Sequence, residues 1–271
     1  MPSIPLEDTV ADVVGKAMRG LQLDDSQVAA AAGVTPAAVA SLRDGLYHDA
    51  TARAVAPVLH LGAEALAELG NQSWYPQPIS LTGLVCFNSP YRDITVNSYL
   101  VFDPASGHAV AVDTGADCSE MLHYLTQHKL FVKLILLTHT HIDHVLDLAC
   151  LQHHTGAPAY VGKGESFAGA EVFEAGRVFH CGALRISTRH TWGHSRGGIT
   201  YVVDGLERPL ALVGDAVFAA SMGGVAVSYA DALRSNREQI FTLPAATILC
   251  PGHGPLTTVG DEMVHNPFFS A

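Results

Sequence analysis

The run Thr138-His139-Thr140-His141-Ile142-Asp143-His144 sets three imidazoles and a carboxylate within six consecutive positions. Burying that much polarity is costly unless hydrogen bonds or metal ions answer it. His139 and His141 are two apart, so in extended backbone they point to the same side and can clasp one ion. Asp143 and His144 follow where the apolar pattern Ile142, Val145, Leu146, Leu148, Ala149 predicts the start of a helix. Negative charge is favoured in a first helical turn, which suits Asp143. The strand end and the helix start thus offer ligands toward two neighbouring points. Imidazole and carboxylate donors suit zinc, iron or manganese.

Further along stand Gly193-His194, Gly214-Asp215 and Gly252-His253-Gly254. Together with Thr-His-x-His-x-Asp-His, they make residues 79–271 resemble the metallo-β-lactamase-fold hydrolases, most closely the glyoxalase II-like branch. The ending Pro251-Gly252-His253-Gly254-Pro255-Leu256-Thr257-Thr258, with His265-Asn266-Pro267-Phe268 behind it, looks like that of small bacterial members. The resemblance implies an αββα sandwich and two divalent metal ions, zinc first, with iron and manganese also accepted. It assigns His139, His141 and His194 to one ion and Asp143, His144 and His253 to the other. Asp215 bridges them, and a water or hydroxide lies between the ions. Asp143 and Asp215 are then the acidic groups of the catalytic centre. His144, where true β-lactamases of the family often carry a non-ligand, argues against drug hydrolysis.

The same resemblance places Asp113 of Val112-Asp113-Thr114-Gly115 behind the histidine cluster, while its local sequence reads equally well as a turn cap. For Asn97 and Tyr99 the expected role is strand and loop packing. His153 and His154 close a helix, where cationic side chains are favoured. His48, His60, His108, His123, His128, His180, His190 and His265 read as surface or packing residues. Thioester hydrolysis is the activity the branch implies, with a small ester or lactone as variants. Trp192 stands where relatives have Pro, and Ser221-Met222-Gly223-Gly224 replaces their Cys-Gly-Arg. The longer basic helical region of glutathione-thioester hydrolases has no counterpart after His253. Arg92 and Arg196 read as surface ion-pair residues with a carboxylate-binding option, and Tyr229 as a packing aromatic.

Elements must position these groups. Short β runs are expected at residues 81–87, 94–102, 109–112, 134–137, 184–187, 199–203, 210–213 and 246–249, with a helix over 118–127. Periodicity alone gives a mixed α/β domain. In front, the Ala-, Val- and Leu-rich residues 1–73 predict a small all-α domain. Asp24-Asp25-Ser26 starts a helix that Gly33 ends, and Thr35-Pro36 starts one that Gly45 ends. That is a helix-turn-helix outline resembling phage-repressor domains. Residues 74–78, Trp-Tyr-Pro-Gln-Pro, form a stiff linker to the catalytic domain, 79–271.

The first 75 residues hold Lys16, Arg19, Arg43 and Arg53 against nine acidic side chains. Phosphate neutralisation dominates DNA affinity, so this balance speaks against DNA binding. Covering the catalytic domain or joining two copies of the chain is the expected use. A formal charge of −11 over 271 residues gives no attraction for polyanions or anionic membranes. No apolar run approaches a membrane span and Met1 to Asp12 lacks a signal-peptide core, so a cytoplasmic location is expected. Cys86, Cys118, Cys150, Cys181 and Cys250 show no paired spacing and read mostly as small buried hydrophobes. A small-molecule substrate is the expected partner. Two other classes stay open. One is a mononuclear iron oxygenase of the persulfide dioxygenase type. The other is a transcriptional regulator whose metal domain senses a ligand.

Overall fold

The computed structural model describes residues 4–224 and 226–270. Five helices come first: α1 (Val10–Leu21), α2 (Asp25–Ala32), α3 (Pro36–Arg43), α4 (Asp49–Val55) and α5 (Ala63–Asn71). Their ends follow the capping chemistry of the sequence. Asp24 accepts from Gln27 N in a reciprocal capping box, and Gly33 closes α2 in the left-handed conformation. Thr35 accepts from Ala38 N, and Pro36 takes the first position of α3. Val13, Val14, Val28, Val39, Leu42 and Leu66 form the centre of this unit. Four residues from far along the chain complete that same core: Ala220, Met222, Ala232 and Phe268.

Two six-stranded sheets follow. The first is built in chain order from β1 (Leu84–Tyr91), β2 (Ile94–Phe102), β3 (His108–Val112), β4 (Phe131–Leu137), β5 (Ala159–Gly162) and β6 (Ala170–Phe173). The second runs β12-β11-β10-β9-β8-β7. Its strands are β7 (Val178–Cys181), β8 (Leu184–His190), β9 (Ile199–Asp204), β10 (Leu210–Gly214), β11 (Ile248–Pro251) and β12 (Thr257–Thr258). The sheets face each other across Tyr99, Val110, Leu136, Ile186, Tyr201, Leu212 and Ile248. Outside the first sheet lie α6 (Ser119–His128) and α8 (Leu148–Thr155), whose Met121, Leu125, Leu148 and Leu151 cover Ala109, Ala111 and Ile135. Outside the second lie α9 (Tyr229–Gln239) and α10 (Val259–His265). Here Ile240 and Val259 pack with Val202, Ala211, Val213 and Leu249. Each sheet buries its inner face against the other and its outer face under helices, which is the αββα sandwich expected from the resemblance.

Two local expectations need correction. The β run expected at 81–87 starts and ends later: β1 continues through Ser89, Pro90 and Tyr91, which pair with Val96, Thr95 and Ile94. β1 is an edge strand, where a missing N–H at Pro90 costs no ladder bond. Arg92 makes the turn at φ 54°. The helix after the motif is also broken. A single turn, α7 (Ile142–Val145), stops at Leu146, and α8 restarts at Leu148. The break aims Asp143 and His144 inward while α8 covers the sheet.

Candidate metal centre

All seven candidate residues leave strand ends or the turns just beyond them. β4 delivers Thr138, His139 and His141, and α7 carries Asp143 and His144. His194 follows β8, Asp215 follows β10, and His253 follows β11. β10 and β11 are parallel neighbours, so their carboxyl ends bring Asp215 and His253 together. β3 and β4 are parallel too, which sets Asp113 beside Thr138.

The seven side chains converge as two sets. His139, His141, His194 and Asp215 place one donor atom each within 4.8 Å of one another, and so do Asp143, His144 and His253. In the first set, His141 Nδ1 lies 3.0 Å from both His139 Nε2 and His194 Nε2. Asp215 Oδ2 is 3.3 Å from His194 Nε2 and 3.9 Å from His139 Nε2. In the second, Asp143 Oδ2 lies 3.3 Å from His253 Nε2 and 3.6 Å from His144 Nε2. Asp215 joins the sets. Its Oδ1 is 3.3 Å from His144 Nε2, and its Oδ2 is 3.6 Å from His253 Nε2. Donors around a tetrahedral ion bound at about 2.1 Å lie about 3.4 Å apart, so these spacings match ion shells.

The outer nitrogens decide what the inner ones can do. His144 Nδ1 donates to Asp113 Oδ2 at 2.9 Å, His194 Nδ1 to Gly224 O at 2.5 Å, and His253 Nδ1 to Thr95 O at 2.7 Å. Thr138 Oγ1 donates to Asp113 Oδ2 at 2.7 Å and is left to accept from His139 Nδ1 at 3.1 Å. Each of these four rings spends its N–H outward and, when neutral, aims a bare Nε2 lone pair inward. At His141 Nδ1, two such lone pairs meet a third nitrogen. Among the described residues, His144 Nε2 and Asp215 Oδ1 are buried without a hydrogen-bond partner. Lone pairs facing lone pairs and a carboxylate repel unless cations lie between them. The donor set therefore fits divalent ions, and four of the five histidines already have the outer partner that fixes the tautomer. Burial opposes ionisation of Asp215, yet the imidazoles of His253, His144 and His194 hold its carboxyl well below the usual range. Burial, together with the neighbouring His144, pushes the His139 imidazole down.

Small residues let the loops close on the centre. A Cβ on Gly252 would overlap Asp215 Oδ1 and His144 Cε1, so this backbone must pass bare against two candidate ligands. Gly193 adopts φ 126°, and a Cβ there would strike the backbone of Ala232. Asn97 and Tyr99 have a definite task. Asn97 Nδ2 donates to Pro251 O at 3.0 Å and Gly254 O at 2.8 Å, and Tyr99 OH donates to Pro251 O at 2.6 Å. They brace the loop that carries His253. Asp113 serves both of its expected roles, capping Thr138 N at 2.7 Å while holding His144.

Residues 91–253 match the metallo-beta-lactamase superfamily. The chain belongs to that superfamily. An uncharacterised Mycobacterium leprae protein is 29% identical over 209 residues, covering 66% of this chain and 95% of its own. A Haemophilus influenzae protein named hydroxyacylglutathione hydrolase GloC is 24% identical over 210 residues, 67% of this chain and 96% of its own. Among solved structures, the BLEG-1 B3 metallo-beta-lactamase superposes with a TM-score of 0.63 at 27% identity, covering 69% of this chain and 100% of that one. A protein crystallised in a di-iron-bound form gives 0.55 at 25% identity, with 67% and 99% covered. The superfamily match starts after the five N-terminal helices.

Other candidates fall away from the centre. Tyr229 packs edge-on to Phe268 and against Gly20, and Trp192 stacks on His190. Arg92 and Arg196 are exposed. Sequence reasoning missed Glu7, whose Oε2 lies 4.0 Å from His253 Nδ1. Burial pushes its carboxyl up. It sits in the segment before α1, far from any motif, and nothing in its neighbours signals a link to His253.

Proposed function

We propose that the chain is a metal-dependent hydrolase that holds two divalent ions between its two donor sets and cleaves a small thioester, ester or lactone. The observation that carries this reading is the shared carboxylate. Asp215 turns one oxygen to His144 and the other to His139, His194 and His253, so one group serves two shells. Zinc is the first candidate for both positions. Such ions supply a water of lowered pKa and polarise a carbonyl oxygen.

The rest is the work of this chain's residues. Asp113, Thr95, Gly224 and Thr138 fix the ring orientation of four histidines, so little reorganisation is left to the moment of reaction. Asp143 and Asp215 supply the negative charge that balances the cations, one in each donor set. Ile142 and Leu146 stand 45% and 49% exposed on the ligand turn and its end, an apolar rim suited to a small acyl group. A thiolate leaves without a strong general acid, and no such acid is needed beyond the groups described. Thioester hydrolysis is therefore the favoured activity, in keeping with the glyoxalase II-like motif and with the name carried by the Haemophilus relative. A one-iron oxygenase would have no use for Asp143, His144 and His253 as a second set.

His139→Ala and Asp215→Asn should each lower thioester hydrolysis by about 100-fold or more, because several kcal/mol of transition-state stabilisation depend on the ions. Steady-state assays on a panel of acyl thioesters and lactones check this. Retained activity in both variants would remove the reading.

A further inference from the structure

A second cluster of metal-binding side chains lies outside the seven-residue centre. Cys118, Asp147 and Cys150 offer two sulfurs and a carboxylate oxygen that all lie within 4.8 Å of one another. Their separation in sequence hides this: Cys118 precedes α6, Asp147 precedes α8, and Cys150 lies in the first turn of α8. Asp147 Oδ2 accepts the Cys118 N–H at 2.9 Å, and the Asp147 N–H donates to Thr114 Oγ1 at 3.3 Å. Cys118 is buried, while Asp147 and Cys150 are half-buried, so the cluster has a floor and an open side. One turn further along α8, exposed His154 donates from Nδ1 to Cys150 O at 2.9 Å, so that nitrogen is engaged with the backbone and the open side of the cluster faces solvent.

We propose that Cys118, Asp147 and Cys150 form a separate site for one thiophilic divalent ion such as zinc or cadmium, with its fourth position open to solvent. Two thiolates and a carboxylate make a three-donor set of the softness that zinc takes when one position is left to water. Binding is balanced by release of the two thiol protons, with each sulfur forming a bond to the ion in place of its bond to hydrogen. Oxidation is the competing fate of paired cysteines. Burial, the Asp147 carboxylate and Cys150 push the Cys118 thiol up, which makes it a poor nucleophile for disulfide formation. An ion reverses that penalty because it stabilises the thiolate directly. The site would pin the starts of α6 and α8 together. Asp147 lies two positions after α7, the turn that carries His144.

The seven-residue centre contains no sulfur, so a sulfur-to-metal charge-transfer band reports this site alone. The test is a cobalt(II) titration of the metal-free, fully reduced, full-length chain, read in the near ultraviolet. A band is expected whose final intensity corresponds to one thiolate-bound cobalt per chain, reached by the third equivalent because the seven-residue centre takes up two ions without contributing to it. It should persist in His139→Ala and Cys86→Ser. In Cys150→Ser it should fall to the level of one sulfur or vanish, and Asp147→Asn should need more cobalt for the same signal. Cys150 is half-buried, so its Ser variant should keep the wild-type circular dichroism. No band at excess cobalt in the wild type would overturn the proposal. So would a band unchanged in Cys150→Ser.

Discussion

Asp113 holds its place at a conformational cost, since its φ of 55° lies in the left-handed region that side chains disfavour. The return is three hydrogen bonds, to Thr138 N, Thr138 Oγ1 and His144 Nδ1. An amide in its place would turn an N–H toward one of these donors and loosen the His144 ring. Asp113→Asn should therefore weaken binding of the ion at His144 by about 10- to 100-fold. Competition with a calibrated chelator measures this, and an unchanged affinity would show that His144 needs no outer carboxylate. At this scale the sequence was most legible. His139, His141, Asp143 and His144 are neighbours in the chain, and their chemistry has few other uses. Glu7 was not legible, because an acidic residue near a start of chain looks like any solvated carboxylate until folding places it beside His253.

Among the elements, α10 is tied to the loop beyond Asp215 by one buried acid. Glu262 accepts from Ala220 N at 2.9 Å, Asn266 Nδ2 at 2.8 Å and Thr257 Oγ1 at 2.7 Å. Burial outweighs these bonds and pushes its carboxyl up to about 7 from an ordinary 4.5. A raised acid binds its proton more tightly folded than unfolded. Its contribution to stability is complete below 4.5 and is lost as pH rises through about 7. Glu262→Gln, whose amide N–H can face Thr257 Oγ1, should flatten the fall in denaturant midpoint across that window. An identical pH slope in the variant would contradict the assignment. The strands were legible in part. The expected runs at 94–102, 109–112, 134–137 and 199–203 fall within β2, β3, β4 and β9. The four-residue strands β5, β6 and β7 escaped notice, since so short a run carries little periodicity. The run expected at 81–87 stops short of residues 88–91, which include Pro90, a residue that an edge strand such as β1 tolerates.

Across the whole molecule, the N-terminal helices are built onto the hydrolase fold. Asp8 accepts from Ser221 Oγ at 2.5 Å and pairs with Lys16, which donates to Met222 O at 2.8 Å. His265 meets Glu68 at 2.6 Å and stacks on Trp74, and Gly62 N donates to Pro267 O at 2.7 Å. With Ala220, Met222, Ala232 and Phe268 in the helical core, a chain cut to residues 79–271 would expose that patch. The shortened chain should melt lower than the full chain and bind a hydrophobic dye. Equal melting temperatures would mean that the two parts are energetically independent. Covering the catalytic domain was one of two uses expected for this segment, but the residues of the joint were not legible, because contacts with residues 220–268 leave no local trace. Arg43 on α3 is ion-paired with Asp25 at 2.8 Å, which engages one of the few cations that segment owns. No helix among the described residues is long and apolar enough to cross a membrane.

The central claim is that two ions share Asp215, and elemental analysis of protein purified without chelator or nickel tests it most directly. The additional thiolate site is removed beforehand by using Cys150→Ser, so that the count reports the seven-residue centre alone. Close to two equivalents of zinc, iron or manganese per chain is the predicted result, falling by one in His253→Ala. A single equivalent in both proteins would contradict the account.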